Sequence, residues 1–223
     1  MTGMSEVTQL LDRIQRGDPH AGAQLRSGRA VVLPVYKGTL ERQVGPVSGA
    51  AEAWELHKQQ AIDLRRAIDY LQTRDDVDAG VIGYYGVSWG AMKAPWLLAL
   101  EDRIKAAVLE DGGFYTGAVF EDGRAFIIQY EGPEQDPVHY LPRIRMPVLM
   151  LNGEYDTIFP RAETQDPMFQ LLGTPAEHKQ HRLFKTSHGG TEPDPGRVQE
   201  VVNWFDRYLG PVKLLNSSPG EAD

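Results

Sequence analysis

The turn Gly86-Val87-Ser88-Trp89-Gly90 joins a short apolar run to a helical segment, and it limits the possible folds more than any other part of the chain. Residues 81–85 before it predict a buried strand, and residues 91–100 after it predict a helix. A serine in such a strained turn projects its hydroxyl at the amino end of a helix, where negative charge is favoured. The pattern predicts Ser88 as a nucleophile, with a tight turn that carries an incidental serine as the alternative. Both glycines of the motif are expected to be required, because larger side chains would clash there.

Other short apolar runs alternate with amphipathic helices along the chain. Short buried strands that alternate with helices predict a parallel sheet with helices on both faces, so the expected class is α/β. Strands are predicted at 30–36, 105–109, 147–151 and 181–184, and helices at 5–16, 52–73 and 197–208.

The domain organisation predicted from these elements is a single domain over residues 1–212. The stretch 114–143 interrupts the alternation and carries several aromatic residues, and loops of that length are usually lids or binding segments. It is therefore predicted to be a lid-like insertion. Residues 213–223 contain Asn, Ser, Pro and Gly and predict a flexible tail.

Two carboxylates follow the strand predicted at 147–151. A serine nucleophile needs a base, and the base needs a third group that holds its tautomer. In open α/β sheets, functional groups gather beyond the carboxyl ends of the strands. Asp156 is favoured over Glu154, because the turn at Gly153 needs a few residues before a side chain can reach inward. A solvated loop carboxylate is the alternative interpretation.

His188 follows the last predicted strand and precedes two glycines, which leave its ring unobstructed. It is the predicted general base, because histidine changes its charge near neutral pH. The other histidines lack this setting. His57 is expected on the polar face of a helix, and His178 and His181 are expected to be solvated.

Composition removes several classes of function. The chain has no cysteine, which excludes disulfides, thiolate metal sites and a cysteine nucleophile. Its formal net charge is −8 and its basic residues form no cluster, so no nucleic-acid partner is expected. No apolar run is long enough for a membrane span, the first nine residues do not resemble a secretory signal, and a cytoplasmic location is expected. The histidines and carboxylates show no close ligand spacing, so no metal is expected. No other cofactor is expected either.

Several segments together resemble the α/β-hydrolase superfamily, in particular its dienelactone-hydrolase-like and prolyl-oligopeptidase-like branch. The similarity covers about residues 26–212 and is closer still to hydrolase domains attached to some bacterial serine/threonine kinases, although the chain contains no kinase motif. The order Ser, Asp, His along the chain is that of the superfamily. The segments that carry the resemblance are Val35–Thr39, Asp69–Leu71, Tyr84–Gly90, Leu151–Asp156 and Asp206–Gly210.

The amino end differs from the family pattern. In the family, a strand ending in the oxyanion loop precedes the strand predicted at 30–36, whereas here only the helical segment at 5–16 comes before it. We therefore expect an N-terminally shortened α/β-hydrolase fold. A truncated chain, a partner chain that completes the sheet and a rearranged amino end all remain open. An incomplete sheet exposes strand edges, so association into a homo-oligomer is a further expectation.

The resemblance implies a serine hydrolase of the carboxylesterase type, in preference to a peptidase, that cleaves a small ester or acyl substrate through an acyl-enzyme. Ser88, Asp156 and His188 are the predicted catalytic residues, and the N–H of Trp89 is the predicted oxyanion donor. The alternatives are a catalytically impaired binding or interaction domain and an acyltransferase that uses the same triad.

Further residues are candidates for contacts around the site. Phe114 and Tyr115 are predicted to bind substrate, with packing in the core as the alternative for these rings. Tyr36 is also predicted to bind substrate, with its neighbour Lys37 as the alternative residue. Glu110 and Asp111 follow the strand predicted at 105–109, where they could tune His188 or bind a cationic group.

Overall fold

The computed structural model describes residues 29–46, 49–114, 134–189 and 194–212. The chain divides into two compact units, one of residues 32–191 and the other of residues 1–31 together with 192–223. Three predictions fall wholly or mostly outside the described residues: the helix at 5–16, the lid-like insertion beyond Phe114 as far as residue 133, and the tail at 213–223.

A four-stranded parallel sheet forms the centre of the larger unit, and its strands lie side by side in the order in which they occur along the chain. Each of its four strands lies within two residues of a predicted strand. Three are short apolar runs bounded by turn residues, whereas the last, Lys179–Phe184, is mostly polar. The strands are β1 Ile82–Val87, β2 Ile104–Glu110, β3 Val148–Gly153 and β4 Lys179–Phe184. The register aligns Val87 with Glu110 and Glu110 with Leu151, so β1 and β2 end at the same level and β3 continues two residues beyond it.

Three helices of the larger unit have described bounds: α1 Ala50–Gln72, α2 Trp89–Leu98 and α3 Asp166–Leu171. The α2 helix is buried from Ala91 to Leu98, because it contacts both α1 and the sheet. Leu64 and Ile68 of α1 join the same hydrophobic core as the inner residues of β2 and β3. The alternation of strands and helices predicted from the sequence is thereby confirmed. The short α3 helix, preceded by a π-helical turn at Arg161–Gln165, is an addition to it.

Residues 30–36 form no strand in the structure, so the strand predicted there is wrong. The prediction rested on a β-branched apolar run, but a run becomes a strand only when a neighbouring strand satisfies its backbone hydrogen bonds. Among the described residues the sheet ends at β1, and no strand pairs beyond it. Val32 and Leu33 are 39% and 45% exposed, in contrast to the buried interior of the paired strands.

The described part of the smaller unit contains the helix α4, Pro195–Leu209. Asp194 caps its first turn by accepting a hydrogen bond from the N–H of Gly196, at 2.7 Å. The helix ends before Gly210, whose φ of 82° is the left-handed conformation common after a helix. The guanidinium of Arg29 pairs with Asp206 on this helix at 2.7 Å. Among the residues that the structure describes, in both units, no helix is long and apolar enough to cross a bilayer.

Candidate active site

Ser88 occupies the turn between β1 and α2 with φ 50° and ψ −106°. A positive φ is strained for a residue with a side chain, and such strain clusters at functional sites. The N–H of Ser88 donates to the carbonyl of Glu110 at the end of β2, at 2.8 Å, which holds the turn against the sheet. Its hydroxyl oxygen lies 2.8 Å from Nε2 of His188.

The two glycines of the motif differ in how much room they have. A methyl group added to Gly86 would lie 2.7 Å from the carbonyl carbon of Gly90 and 2.9 Å from the amide nitrogen of Ala91. A methyl group on Gly90 would meet only the hydroxyl of Tyr84, at 3.8 Å, an ordinary contact. The clash predicted from the sequence is therefore confirmed at Gly86 and wrong at Gly90. The difference arises because Gly86 faces the helical backbone, whereas Gly90 is part of that helix.

Alanine substitutions at these two positions form a matched pair. We expect Gly86→Ala to lower the free energy of unfolding by about 1–3 kcal/mol, because backbone atoms of α2 cannot yield as a flexible side chain can. Gly90→Ala is expected to leave stability unchanged or to raise it slightly, since alanine is the better helix former. Urea unfolding of the two variants beside wild type measures the difference. Equal destabilisation by both substitutions would contradict the geometry.

Asp156 lies on the loop after β3, and its side chain is completely buried. One carboxylate oxygen, Oδ1, accepts hydrogen bonds from the backbone N–H groups of Ile158 and Phe159, at 2.8 and 2.9 Å. The other, Oδ2, lies 2.8 Å from Nδ1 of His188. The competing carboxylate, Glu154, is exposed on the same loop. Burial and hydrogen bonding thus distinguish Asp156 from Glu154, although the two residues are only two positions apart in the sequence.

His188 is the middle member of a continuous hydrogen-bonded chain from Ser88 to Asp156. An ionised carboxylate can only accept, so Nδ1 of the ring carries the proton that Asp156 binds. Nε2 is then the acceptor that faces the serine hydroxyl, which is the tautomer a general base needs. The imidazole also packs against Phe159, with 5.7 Å between the ring centroids.

Two of the other histidines are more buried than predicted. His57 is only 7% exposed and stacks on Trp96, with 4.6 Å between the ring centroids, so its predicted place on a polar helix face is wrong. Burial lowers its pKa to about 3, with a further contribution from the charge of Lys93. His181 also is not solvated, because its ring lies within hydrogen-bonding distance of the Asn152 side chain, at 3.1 Å.

The candidate substrate contacts fall into different environments. Tyr36 is partly buried, and its ring lies 6.4 Å from that of Trp89, the residue after Ser88. Burial, followed by the charge of Asp63, raises the pKa of Tyr36 above its usual value. Phe114 is 1% exposed and belongs to the hydrophobic core, which is the alternative interpretation of that ring. Tyr115 lies outside the described residues. Tyr36 is therefore retained as a candidate contact, and the contact predicted for Tyr115 stays a prediction.

Lys93 was missed by the sequence interpretation. It lies five residues after Ser88 on α2, it is 6% exposed, and its ammonium lies 5.0 Å from the ring centroid of Trp89 and 5.5 Å from that of Trp96. Burial lowers its pKa to about 7. The available signal was a single charged residue inside the otherwise apolar helix of residues 91–98. An isolated charge in a helix that is apolar all round is buried with the rest of the helix.

The parallel sheet and the strand-to-helix turn that carries Ser88 define the α/β-hydrolase fold, and solved structures of similar fold agree. More specifically, the chain belongs to the dienelactone hydrolase family, whose model matches residues 24–205. The family places the chain among hydrolases.

The chain is similar to several known proteins. It is 26% identical over 166 residues to the uncharacterized peptidase YuxL of Bacillus subtilis (strain 168), and the match covers 66% of this chain but only 25% of that protein. It resembles a cold-adapted esterase from an Arctic intertidal metagenomic library with a TM-score of 0.56 and 21% identity, over 78% of this chain and 67% of the esterase. It also resembles the acylaminoacyl peptidase of Pyrococcus horikoshii with a TM-score of 0.55 and 20% identity, over 70% of this chain and 28% of the peptidase. The chain thus spans about a quarter of the length of the curated relative.

Proposed function

We propose that this protein is a serine hydrolase that cleaves carboxylic esters, or related acyl bonds, through a covalent acyl-enzyme. The observation that carries the proposal is the hydrogen-bonded chain from the Ser88 hydroxyl through His188 to the buried carboxylate of Asp156, with both distances at 2.8 Å. An incidental serine in a tight turn has no need of an oriented imidazole or of a buried carboxylate behind it.

Each of the three hydrogen-bonded residues has a defined part in the reaction. His188 accepts the hydroxyl proton through Nε2 as Ser88 attacks the substrate carbonyl carbon, and it then gives that proton to the leaving group. Asp156 holds the ring tautomer and stabilises the imidazolium that forms. A water activated by His188 then hydrolyses the acyl-enzyme and returns Ser88 to its free form.

The amide of Trp89 is the proposed oxyanion donor. It lies in the first turn of α2, where the N–H groups have no acceptor inside the helix and the helix dipole favours negative charge. A donor that faces the developing oxyanion contributes on the order of 100- to 1000-fold in turnover.

Labelling with a fluorophosphonate probe tests the proposal, because the probe phosphonylates only an activated serine. We expect the wild-type protein to be labelled on the peptide that contains Ser88, and labelling to be lost in Ser88→Ala. Ser187→Ala is the matched control, since Ser187 is an exposed hydroxyl next to His188. Folded wild-type protein that takes up no label would overturn the proposal.

Turnover of a p-nitrophenyl ester, measured beside the matched p-nitroanilide, separates an esterase from a peptidase. We expect turnover of the ester and no measurable turnover of the anilide. Hydrolysis of the anilide that is lost in Ser88→Ala would assign the same three residues to amide cleavage.

A further inference from the structure

Asp111 directly follows β2 and lies at the level of Ser88, on the carboxyl side of the sheet. Its side chain is completely buried, and its φ of 45° is unusual for a residue other than glycine. Its backbone N–H donates to the carbonyl of Leu151 in β3, at 2.7 Å. A buried carboxylate on a strained backbone is costly unless its hydrogen bonds stabilise the arrangement.

The two oxygens of the Asp111 carboxylate bind two different loops. Oδ1 accepts from the N–H of Gly153, at the end of β3 and three residues before Asp156, at 3.1 Å. Oδ2 accepts from the N–H of Gly189, the residue after His188, also at 3.1 Å. One side chain therefore ties the loop of the acid to the loop of the base.

The backbone–backbone hydrogen bonds described between these two loops end at Thr186. Beyond it, the side chains of Asp156 and Phe159 contact the His188 ring. The N–H of Glu154 donates to Phe184 and the N–H of Tyr155 donates to Thr186, which continues the pairing of β3 with β4. Beyond Thr186, the hydrogen bond from the N–H of Gly189 to Asp111 holds the backbone next to His188. Gly189 has a φ of 77°, a conformation that needs an outside partner to select it over the others open to glycine.

We propose that Asp111 is a positioning residue that sets the angle of His188 between Ser88 and Asp156, and that its negative charge favours the protonated imidazole during the reaction. This inference rests on the proposed serine-hydrolase function. The two hydrogen bonds described for the Asp111 carboxylate go to backbone N–H groups, those of Gly153 and Gly189. Asp111 acts through the loop of His188 and through its charge, in addition to Asp156.

The test is Asp111→Asn in the full chain. The asparagine has the same shape, but it keeps a single acceptor oxygen and presents an NH2 group to one of the two backbone donors. We expect kcat on a p-nitrophenyl ester to fall about 10- to 100-fold with little change in KM, because small displacements of a base cost that much. The acidic limb of the pH–rate profile should move to lower pH, since the neutral amide of this variant no longer favours the protonated imidazole.

Asp136→Asn is the matched control, because the Asp136 carboxylate also accepts from a backbone N–H, that of Val138, at 3.0 Å. It should leave kcat and the pH profile unchanged. A second measurement needs no variant: hydrogen exchange of the Gly189 amide in wild type, which should be protected by its bond to Asp111.

The outcomes separate the inference from the function on which it rests. If Ser88→Ala removes turnover while Asp111→Asn keeps the wild-type kcat and pH profile, the positioning role is wrong and the function stands. The positioning role is also wrong if the kcat of Asp111→Asn falls only in proportion to its loss of folded protein and the acidic limb of its pH–rate profile does not move. The role of Asp111 would then be purely structural. If Asp111→Asn does not fold, the wild-type measurement decides: a Gly189 amide that exchanges its hydrogen without protection overturns the positioning role. Turnover that survives Ser88→Ala overturns the proposed function itself.

Discussion

Asp156→Asn is expected to lower kcat on a p-nitrophenyl ester by about 10⁴-fold, the loss typical of an inverted histidine tautomer. The structure gives the reason for the inversion. Oδ1 accepts from the N–H groups of Ile158 and Phe159, so the amide oxygen of an asparagine must stay there. Its NH2 group then faces Nδ1 of His188 and donates to it.

A ring that accepts at Nδ1 carries its proton on Nε2. Nε2 is the atom 2.8 Å from the Ser88 hydroxyl, so the ring would donate to that hydroxyl and could no longer take its proton. The substitution preserves volume and both backbone hydrogen bonds, so the thermal unfolding midpoint should change little. Activity would fall while the fold persists.

Glu154→Gln is the control for this prediction, because Glu154 is the exposed carboxylate on the same loop. It should retain wild-type turnover. The assignment of the acid would be reversed if Glu154→Gln lost activity and Asp156→Asn kept it.

The strands and the candidate site could be predicted because their signals are local. Three of the four strands are short apolar runs, and the fourth is polar except for its last two residues, Leu183 and Phe184. Ser88, Asp156 and His188 each follow one of these strands. In a parallel sheet the residues after the strands meet at one edge, so the order of elements suffices to bring the three together. The choice of Asp156 over Glu154 needed only the length of the turn after Gly153.

The errors come from properties that depend on distant parts of the chain. Residues 30–36 have the composition of a strand but no hydrogen-bonded neighbour in the described structure, and no local pattern reports a missing neighbour. His57 lies on a helix with many charged residues, yet it faces Trp96 of the next helix. The two bonds of Asp111 join loops 42 and 78 residues away along the chain, a distance at which a single sequence gives no pairing signal.

Lys93 is the other feature set by distant contacts, and its charge should make the stability of the protein rise with pH. Its pKa is about 7 in the folded state, against 10.5 in a chain without burial. Between these two values the unfolded state binds more protons than the folded state, so the free energy of unfolding increases with pH across that window. The destabilisation caused by burying the charged ammonium of Lys93 is present in full below pH 7 and decreases as the pH rises above 7. His57, the titratable group beside Lys93, stays neutral throughout because its pKa is about 3.

Lys93→Met is therefore expected to raise the free energy of unfolding at pH 6 and to remove most of its rise between pH 7 and 9.5. The full pKa difference corresponds to at most about 5 kcal/mol, and loss of the cation–π contacts to Trp89 and Trp96 offsets about 2 kcal/mol of it. A net gain of about 2–3 kcal/mol at pH 6 is then expected for methionine, which has a similar length and no charge.

Urea unfolding at several pH values from 6 to 9.5 measures both effects. Higher pH is avoided because burial raises the pKa values of Tyr36 and Tyr84, which makes stability fall as the unfolded tyrosines ionise. Lys58→Met is the control, since Lys58 is an exposed lysine of α1 that pairs only with Glu55 among the described residues. A Lys93→Met protein that is less stable than wild type at pH 6, with the same dependence on pH, would show that the buried ammonium is stabilised by its tryptophans more than burial costs it.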